Sequence, residues 1–183
     1  YQTLFGLLYS TGIRIGEALA LNHGDYRKNE KLIHIRWGKF RKQRYLVLKS
    51  STADRLNEYI ECYQSIMPCN EQSPLFINNR RKPLKYGSVC NAFHKKMKRS
   101  CIGKDKKGPR LYSFRHSFAV HRLLHWYKTE QDINAKLPFL STYMGHVDIT
   151  STQVYLEATS ELLQAGCERF YTFFLKHNKG DNK

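Results

Sequence analysis

The sequence predicts an α+β fold that is mostly helical and has one small three-stranded antiparallel sheet. In most segments of the 183-residue chain, apolar residues recur at helical spacing. Three short runs differ, because residues 32–37, 45–48 and 75–77 have the β-branched and aromatic content of strands. A hydrophobic fraction of 41% can support a sizeable core and argues against global disorder.

The N-terminal part is predicted to contain two helices followed by a strand hairpin. Residues 2–9 read as the end of a helix that stops at Thr11-Gly12, and residues 14–22 suit a second helix. The very basic segment 38–44 separates the first two strand runs, so we expect it to form the hairpin connection.

Two longer helices are predicted in the middle of the chain. Ser51 or Thr52 can cap a helix that runs to about Met67, where Pro68 ends it. Residues 88–100 are expected to form a helix with one basic face. The members of that face are His94, Lys95, Lys96, Lys98 and Arg99.

The C-terminal part is predicted to be a series of helices. One spans 113–127, and the polar stretch 128–137 is expected to be a loop. Pro138 can start the next helix, because proline is tolerated in a first helical turn. The remaining helices are predicted at 138–145, 149–156 and 160–177, and residues 178–183 are expected to be a disordered tail.

The charge balance points to an anionic partner. The chain has 31 Lys and Arg residues against 15 Asp and Glu residues, for a formal net charge of +16. Such an imbalance destabilises a compact state by self-repulsion unless a polyanion relieves it. Nucleic acid is the first candidate, because phosphates are neutralised by basic side chains with release of counterions, and a membrane surface is the second.

The cysteines indicate neither a disulfide framework nor a metal site. Their number, five, is odd, and no two stand at C-x-x-C spacing. We therefore expect reduced thiols in a cytoplasmic protein. The chain opens inside an apolar helical run, Tyr1 to Tyr9, without Met, which indicates a fragment of a longer protein. The cysteines are Cys62, Cys69, Cys90, Cys101 and Cys167.

Three clusters of chemically capable residues stand in order along the chain. The first, Thr11 to Glu17, sets an arginine at a helix start. The second, Tyr112 to His116, places an Arg–His pair at the opening of a helix. The third is Met144-Gly145-His146, which Tyr155 follows nine positions later. Each cluster is weak evidence alone, since a single Arg is usually a solvated surface residue.

Together these clusters resemble the tyrosine recombinase (phage integrase) family, over roughly residues 4 to 165. The family's two arginines, its Gly-His box and its tyrosine correspond here to Arg14, Arg115, His146 and Tyr155. The family's lysine lies in a hairpin between two strands, and the resemblance assigns it to Lys39. It further implies a catalytic domain over residues 1–177, with the N-terminal core-binding domain outside this chain.

The resemblance implies a site-specific recombinase that cuts and rejoins double-stranded DNA through a 3′-phosphotyrosine, without metal, ATP or other cofactor. Arg14 and Arg115 would clamp the scissile phosphate, since guanidinium stays charged and forms bidentate hydrogen bonds. His146 would donate to the phosphate or help to remove the phenolic proton of Tyr155. Lys39 would protonate the leaving oxygen. The expected setting is integration, excision or transposition of a mobile element, by a homotetramer on paired sites that accessory DNA-bending proteins could assist.

Other basic residues are expected to contact DNA without taking part in the chemistry. Lys42 is the second choice for the catalytic lysine, and its simpler role is a phosphate contact. Arg41 and Arg44 of the hairpin are expected to contact phosphates too. The remaining predicted contacts lie on the basic helix, at Lys95, Lys98 and Arg99.

Three further residues have two interpretations each. Tyr112 stands where the family usually has histidine; a phenol can donate a hydrogen bond to a phosphate, but it is not an ordinary base near neutral pH. Glu17 matches an acidic position that would hold a catalytic arginine or another basic side chain, and it could equally be a charge favoured at a helix N-terminus. His116 could orient the site, although a packed structural histidine is the simpler interpretation. Tyr143 and Tyr171 are rival nucleophiles. Core packing is the better explanation for Tyr143. Tyr171 lies on the apolar face of the last predicted helix, which could pack on its own domain or dock on a neighbouring subunit.

Two other functions use the same features. A catalytically inactive DNA-binding module would keep the basic surface, and Tyr112 in place of histidine makes that alternative relevant. A topoisomerase of type IB shares the chemistry but acts without defined sites. A basic structural or membrane-surface domain would not need Arg14 or Arg115.

Overall fold

A computed structural model describes residues 1–36, 43–65, 68–100, 108–129, 131–146, 148, 150–156 and 164–168. The chain divides into two compact units, Tyr1–Arg115 and His116–Lys183. In the described part, no helix combines the length and apolar content needed to cross a membrane. The predicted tail at 178–183 lies outside the described residues.

The first unit joins four helices to one small sheet. Its helices are α1 (Gln2–Thr11), α2 (Ile15–Leu19), α3 (Ser50–Gln64) and α4 (Tyr86–Arg99), and a 3-10 helix spans His23–Asp25. Its strands are β1 (Tyr26–Arg27), β2 (Leu32–Ile35) and β3 (Arg44–Val47). The second unit contains most of α5 (Ser113–Lys128), together with α6 (Ile133–Met144), α7 (Thr150–Gln153) and a helical turn at 164–168.

The sheet has three antiparallel strands in the order β1-β2-β3, which confirms the predicted α+β class. Ile33 of β2 stands opposite Tyr26 of β1 and Leu46 of β3. All three side chains are buried, whereas Tyr45 and Val47 of β3 are exposed. The alternation is the one that a half-buried sheet requires.

The sequence prediction of the third strand was wrong. We expected residues 75–77, but the third strand is β1, and 75–77 takes part in no described strand. Leu75 instead donates its backbone N–H to the carbonyl of Leu21 at 2.8 Å. Isolated bridges involve Pro74 and Pro83, and proline has no N–H with which to extend a ladder.

The first unit has an apolar core in which α1 contacts α2 and α3, and α2 contacts α4. Leu4, Leu7 and Leu8 lie on the buried side of α1. Phe5 of α1 also meets the ring of Phe93 of α4 at 5.8 Å, in an edge-on arrangement typical of aromatic pairs. Contacts of this kind, rather than intrinsic propensity, hold a helix as short as α2.

The second unit has a core of its own, formed by α5, α6 and the segment after α7. Its buried members are Phe118, Ala119, Val120, Leu123, Ile133, Leu137, Leu140, Met144 and Tyr155. The helix α7 has only four residues and is too short to be stable in isolation, and it contacts α6.

Several helix boundaries differ from the sequence prediction, most of all in α3, α2 and α6. The helix α3 begins at Ser50, so Ser51 and Thr52 lie inside it rather than at its cap. The helix α2 ends at Leu19, before the predicted residue 22. The helix α6 begins at Ile133, within the predicted loop, and Pro138 lies inside it. Asp132 caps it, since its side chain accepts a hydrogen bond from the N–H of Ala135 at 3.2 Å.

Candidate active site

In the first unit, a tight turn between α1 and α2 positions Arg14. Gly12 adopts a left-handed conformation with φ of 62°, and its N–H donates to the carbonyl of Leu8 at 2.9 Å. A residue with a Cβ would be strained at that angle, so glycine suits this C-cap. The backbone then enters α2 with Arg14 as its N-cap residue. The predicted placement of this arginine at a helix start is confirmed.

Glu17 holds Arg14 in place from one turn further along. One carboxylate oxygen accepts from the backbone N–H of Arg14 at 3.2 Å, and the other accepts from its Nη1 at 3.0 Å. The Glu17 side chain is only 5% exposed and that of Arg14 is 26% exposed, so the ion pair is partly buried. The interpretation of Glu17 as the holder of an arginine is confirmed, and Glu17 also lies in the first turn of α2, where a negative charge is favoured.

Arg44 is a second partner of the same carboxylate. Its Nη1 and Nη2 lie 3.1 Å and 2.7 Å from the two Glu17 oxygens, a bidentate arrangement. The Arg44 side chain is 9% exposed and belongs to β3 rather than to the hairpin tip. The guanidinium is thus directed at a buried carboxylate, and its predicted phosphate contact stays a prediction.

The two arginines alter the titration of Glu17. Burial alone would raise the pKa of the carboxyl, but hydrogen bonds and charge from Arg44 and Arg14 together outweigh it. The pKa of Glu17 is therefore below its ordinary value, and the group is ionised at neutral pH.

Arg115 contacts the turn that carries Arg14. Its side chain is buried, with 2% of the residue exposed, and its Nη1 donates to the carbonyl of Gly12 at 2.7 Å. The fold thus brings the second arginine cluster of the sequence to the first, within one compact unit. The phosphate-clamping role of both arginines stays a prediction.

The other predicted residues of the first unit lie at its surface. Tyr112 is 63% exposed, and its carbonyl accepts the N–H of Arg115 at 3.1 Å in the turn that opens α5. Lys95, Lys98 and Arg99 are exposed near the C-terminal end of α4, where positive charge is favoured by the helix dipole. Their DNA contacts stay predictions. Lys39, Arg41 and Lys42 lie outside the described residues.

In the second unit, the C-terminal end of α6 positions His146. Gly145 ends the helix with φ of 69°, and the N–H of His146 then donates back to the carbonyl of Ser141 at 2.9 Å. This backward bond is typical of a helix end with a left-handed residue, and it fixes the backbone of the histidine. The His146 ring is half-buried.

Tyr155 lies against two imidazoles. Its ring is nearly parallel to that of His146, with centroids 6.1 Å apart and an interplanar angle of 17°. The ring of His116 is 5.3 Å away and tilted by 60°. Tyr155 is only 5% exposed and belongs to the core of the unit. The structure therefore brings together the tyrosine and the histidine of the third cluster, and adds His116.

Thr152 is a site residue that the sequence analysis missed. It is fully buried, and its hydroxyl oxygen lies 2.7 Å from Nδ1 of His146. One signal could have found it, because Thr152 precedes Tyr155 by three residues and a helical turn places such residues on one side.

The rival nucleophile Tyr143 has a packing role. Its ring stacks on that of Phe118 with centroids 5.7 Å apart, against the core of the second unit. Tyr171 lies outside the described residues. Within the described part of the chain, no three side chains of the metal-binding types come together.

Comparison with known proteins places these features in a family. The model of the phage integrase family matches residues 1–161. The "Putative integrase/recombinase y4rB" of Sinorhizobium fredii is 36% identical over 172 residues, which cover 92% of this chain and 55% of that protein. The tyrosine recombinase XerD of Corynebacterium glutamicum is 29% identical over 163 residues, which cover 89% of this chain and 50% of that protein.

A solved structure shares the fold. It is the site-specific recombinase XerH bound to its palindromic difH substrate in a post-cleavage complex, with a TM-score of 0.67 and 22% identity. The match covers 93% of this chain and 45% of that one. The chain therefore belongs to the phage integrase family, and it spans about half the length of the curated relatives that it matches.

Proposed function

We propose that this chain is the catalytic part of a tyrosine recombinase that cleaves and rejoins double-stranded DNA through Tyr155. The observation that carries the proposal is the placement of the Tyr155 ring against the imidazole of His146, at the spacing that the family shares. Membership of the phage integrase family supports the same chemistry, since the relatives are named integrases and tyrosine recombinases.

The proposed reaction is an in-line displacement at one phosphodiester. The phenolic oxygen of Tyr155 bonds to phosphorus while the bond to the 5′ oxygen breaks, which yields a 3′-phosphotyrosine and a 5′-hydroxyl. Arg14 and Arg115 stabilise the charge that grows on the non-bridging oxygens, and Lys39 donates the proton that the leaving oxygen takes. The covalent intermediate keeps the bond energy, so a second hydroxyl can reverse the step without ATP.

The partners follow from the same proposal. Double-stranded DNA suits the net charge of +16. We further propose that protomers assemble as a tetramer on paired sites, with or without DNA-bending accessory proteins. A role in integration, excision or transposition of a mobile element suits the integrase name of the relative from Sinorhizobium fredii.

Substitution of the nucleophile tests the proposal. The protein would be incubated with a nicked suicide substrate, which traps the covalent intermediate because the cleaved fragment diffuses away. We expect the wild type and Tyr143→Phe to form an adduct, and Tyr155→Phe to form none while still binding DNA. The control is matched, because Tyr143 packs on the same core and loses the same single oxygen.

The outcomes separate the alternatives. Mass spectrometry that locates the attached nucleotide on Tyr155 would support the proposal, and an adduct that persists in Tyr155→Phe would defeat it. DNA binding by the wild type without any adduct would instead indicate an inactive DNA-binding module. Adduct formation on every sequence, with relaxation of supercoiled DNA, would indicate a type IB topoisomerase.

A further inference from the structure

Thr11 joins the end of α1 to the turn that carries Arg14. It is the last residue of α1, and only 2% of it is exposed. Its hydroxyl donates to the carbonyl of Leu7 at 2.6 Å, one helical turn back, and its oxygen accepts the backbone N–H of Ile13 at 3.3 Å. One side chain therefore bonds to the backbone on both sides of Gly12.

The form of the helix end explains why Ile13 needs this acceptor. Gly12 is in the left-handed conformation, and its N–H bonds to the carbonyl of Leu8 at 2.9 Å. A helix end with this single bond offers no carbonyl to the next residue, whereas the related Schellman motif does. Ile13 is 2% exposed, and a buried N–H without an acceptor costs free energy. The Thr11 hydroxyl therefore stands in for a helix carbonyl.

The bond to Thr11 orients a peptide that also contacts Arg115. The N–H of Ile13 and the carbonyl of Gly12 belong to one peptide unit, which is planar and rigid. That carbonyl accepts a hydrogen bond from Nη1 of Arg115 at 2.7 Å. If the N–H turns away from the Thr11 oxygen, the carbonyl must turn with it, and the guanidinium loses this anchor. Hydrogen bonds linked in such a chain also strengthen one another.

We propose that Thr11 is a positioning residue that holds Arg115, through the peptide between Gly12 and Ile13, in the orientation that clamps the scissile phosphate. This inference rests on the proposed function, in which the guanidinium stabilises charge on the non-bridging oxygens. Thr11 acts through the protein backbone, to which both of its side-chain hydrogen bonds go. A displaced guanidinium slows cleavage because charge stabilisation depends on the exact placement of the donor.

Single-turnover cleavage of the suicide substrate gives the first readout. We expect Thr11→Val, which keeps the shape and loses the hydroxyl, to slow adduct formation roughly tenfold, and Arg115→Ala to slow it about a hundredfold or more. Thr11→Ser keeps the hydroxyl and should restore most of the rate. The matched control is Ser10→Ala, because the Ser10 hydroxyl donates to the same Leu7 carbonyl, at 3.4 Å, from the adjacent position. That variant should keep the wild-type rate.

A substrate with a neutral linkage separates positioning from a loss of folded protein. In a methylphosphonate, a methyl group replaces one non-bridging oxygen, so less negative charge develops for a guanidinium to stabilise. We expect the rate deficits of Thr11→Val and Arg115→Ala to shrink on this substrate relative to the phosphodiester. A variant that was only less folded would be slowed by the same factor on both substrates.

Nitrogen-15 spectra of the arginine side chains in the free protein test the anchor without any reaction. The Arg115 signals are identified by their loss in Arg115→Lys. Hydrogen bonding to a buried carbonyl protects guanidinium protons from exchange with water. We expect slow exchange in the wild type and in Thr11→Ser, and faster exchange in Thr11→Val.

The results that would overturn this inference differ from those that would overturn the proposed function. Fast exchange of the Arg115 protons in the wild type would overturn the inference, whether or not Thr11→Val folds. Equal spectra and rates in wild type and Thr11→Val would do the same, as would an equal slowing of Thr11→Val on both substrates. Slow exchange that is lost in Thr11→Val, in a protein that forms no adduct, would uphold the placement of Arg115 and remove the proposed function.

Discussion

Glu17 shows how one buried carboxylate can organise two arginines of different kinds. Arg14 is partly exposed, with 26% of its side chain accessible, and the family resemblance assigns it to the scissile phosphate. Arg44 is nearly enclosed and pairs with the buried Glu17 carboxylate. The sequence analysis could not separate them, because Arg44 follows Lys42 and Gln43 in a basic run and burial is not visible in composition.

We expect Arg44→Ala to lower the free energy of unfolding by about 3 kcal/mol, because it leaves the buried Glu17 with a single partner. The matched control is Arg55→Ala. Arg55 pairs with Glu58 at 2.7 Å, but both side chains are at least 60% exposed, so the loss should stay below about 0.5 kcal/mol. Urea unfolding of both variants would measure the difference, and equal losses would contradict the structural role of Arg44.

At the scale of elements, the helices that carry the site were largely predictable. The α1 stop at Gly12, the opening of α5 and the α6 end at Gly145 all have local sequence signals, and the structure confirms them. The start of α6 was missed because Pro138 was taken as its first residue. The correct signal was the spacing of Ile133, Leu137, Leu140 and Met144, which repeats on one helical face.

The sheet shows what local reasoning could not supply. The number of strands was predicted correctly. Which segment forms the third strand depends on which backbone packs beside β2, and tertiary structure decides that. Two residues, Tyr26 and Arg27, were enough for the third strand because they pair with Ile33 and Leu32. A run so short gives no periodicity that a sequence pattern could register.

We expect Gly145→Ala to destabilise the protein by about 1 kcal/mol, because alanine is strained at the observed φ of 69°. Gly6→Ala should have the opposite sign, a gain of about 0.5 to 1 kcal/mol. Gly6 is an exposed residue inside α1, and a Cβ there would meet nothing within 4 Å. Chemical denaturation gives both values; a stabilising Gly145→Ala would show that the turn before His146 does not need glycine.

For the molecule as a whole, charge is the dominant property. A net charge of +16 makes any DNA complex depend strongly on salt, since bound phosphates release their counterions. The sequence alone established this property, because it depends on composition and not on contacts. Which lysines face DNA depends on the fold, and the exposed end of α4 is our prediction for that surface.

We expect the double variant Lys95→Ala/Lys98→Ala to reduce the slope of log K against log salt by about two, one unit for each lost phosphate contact. The control is Lys28→Ala/Arg55→Ala, which removes the same charge. Both of those residues are exposed and already paired with carboxylates, Glu61 and Glu58. Titrations on one duplex at several salt concentrations would measure the slopes, and equal slopes in the two double variants would exclude the α4 surface.

The burial of Tyr155 bears on how a protein with the proposed activity could lose it in evolution. Its ring belongs to the apolar core of the second unit, and its oxygen is the only heavy atom that phenylalanine lacks. In a lineage released from selection for the proposed strand transfer, phenylalanine would keep the packed ring, whereas a small side chain would leave a cavity. Inactive descendants should carry phenylalanine at this position more often than alanine or serine.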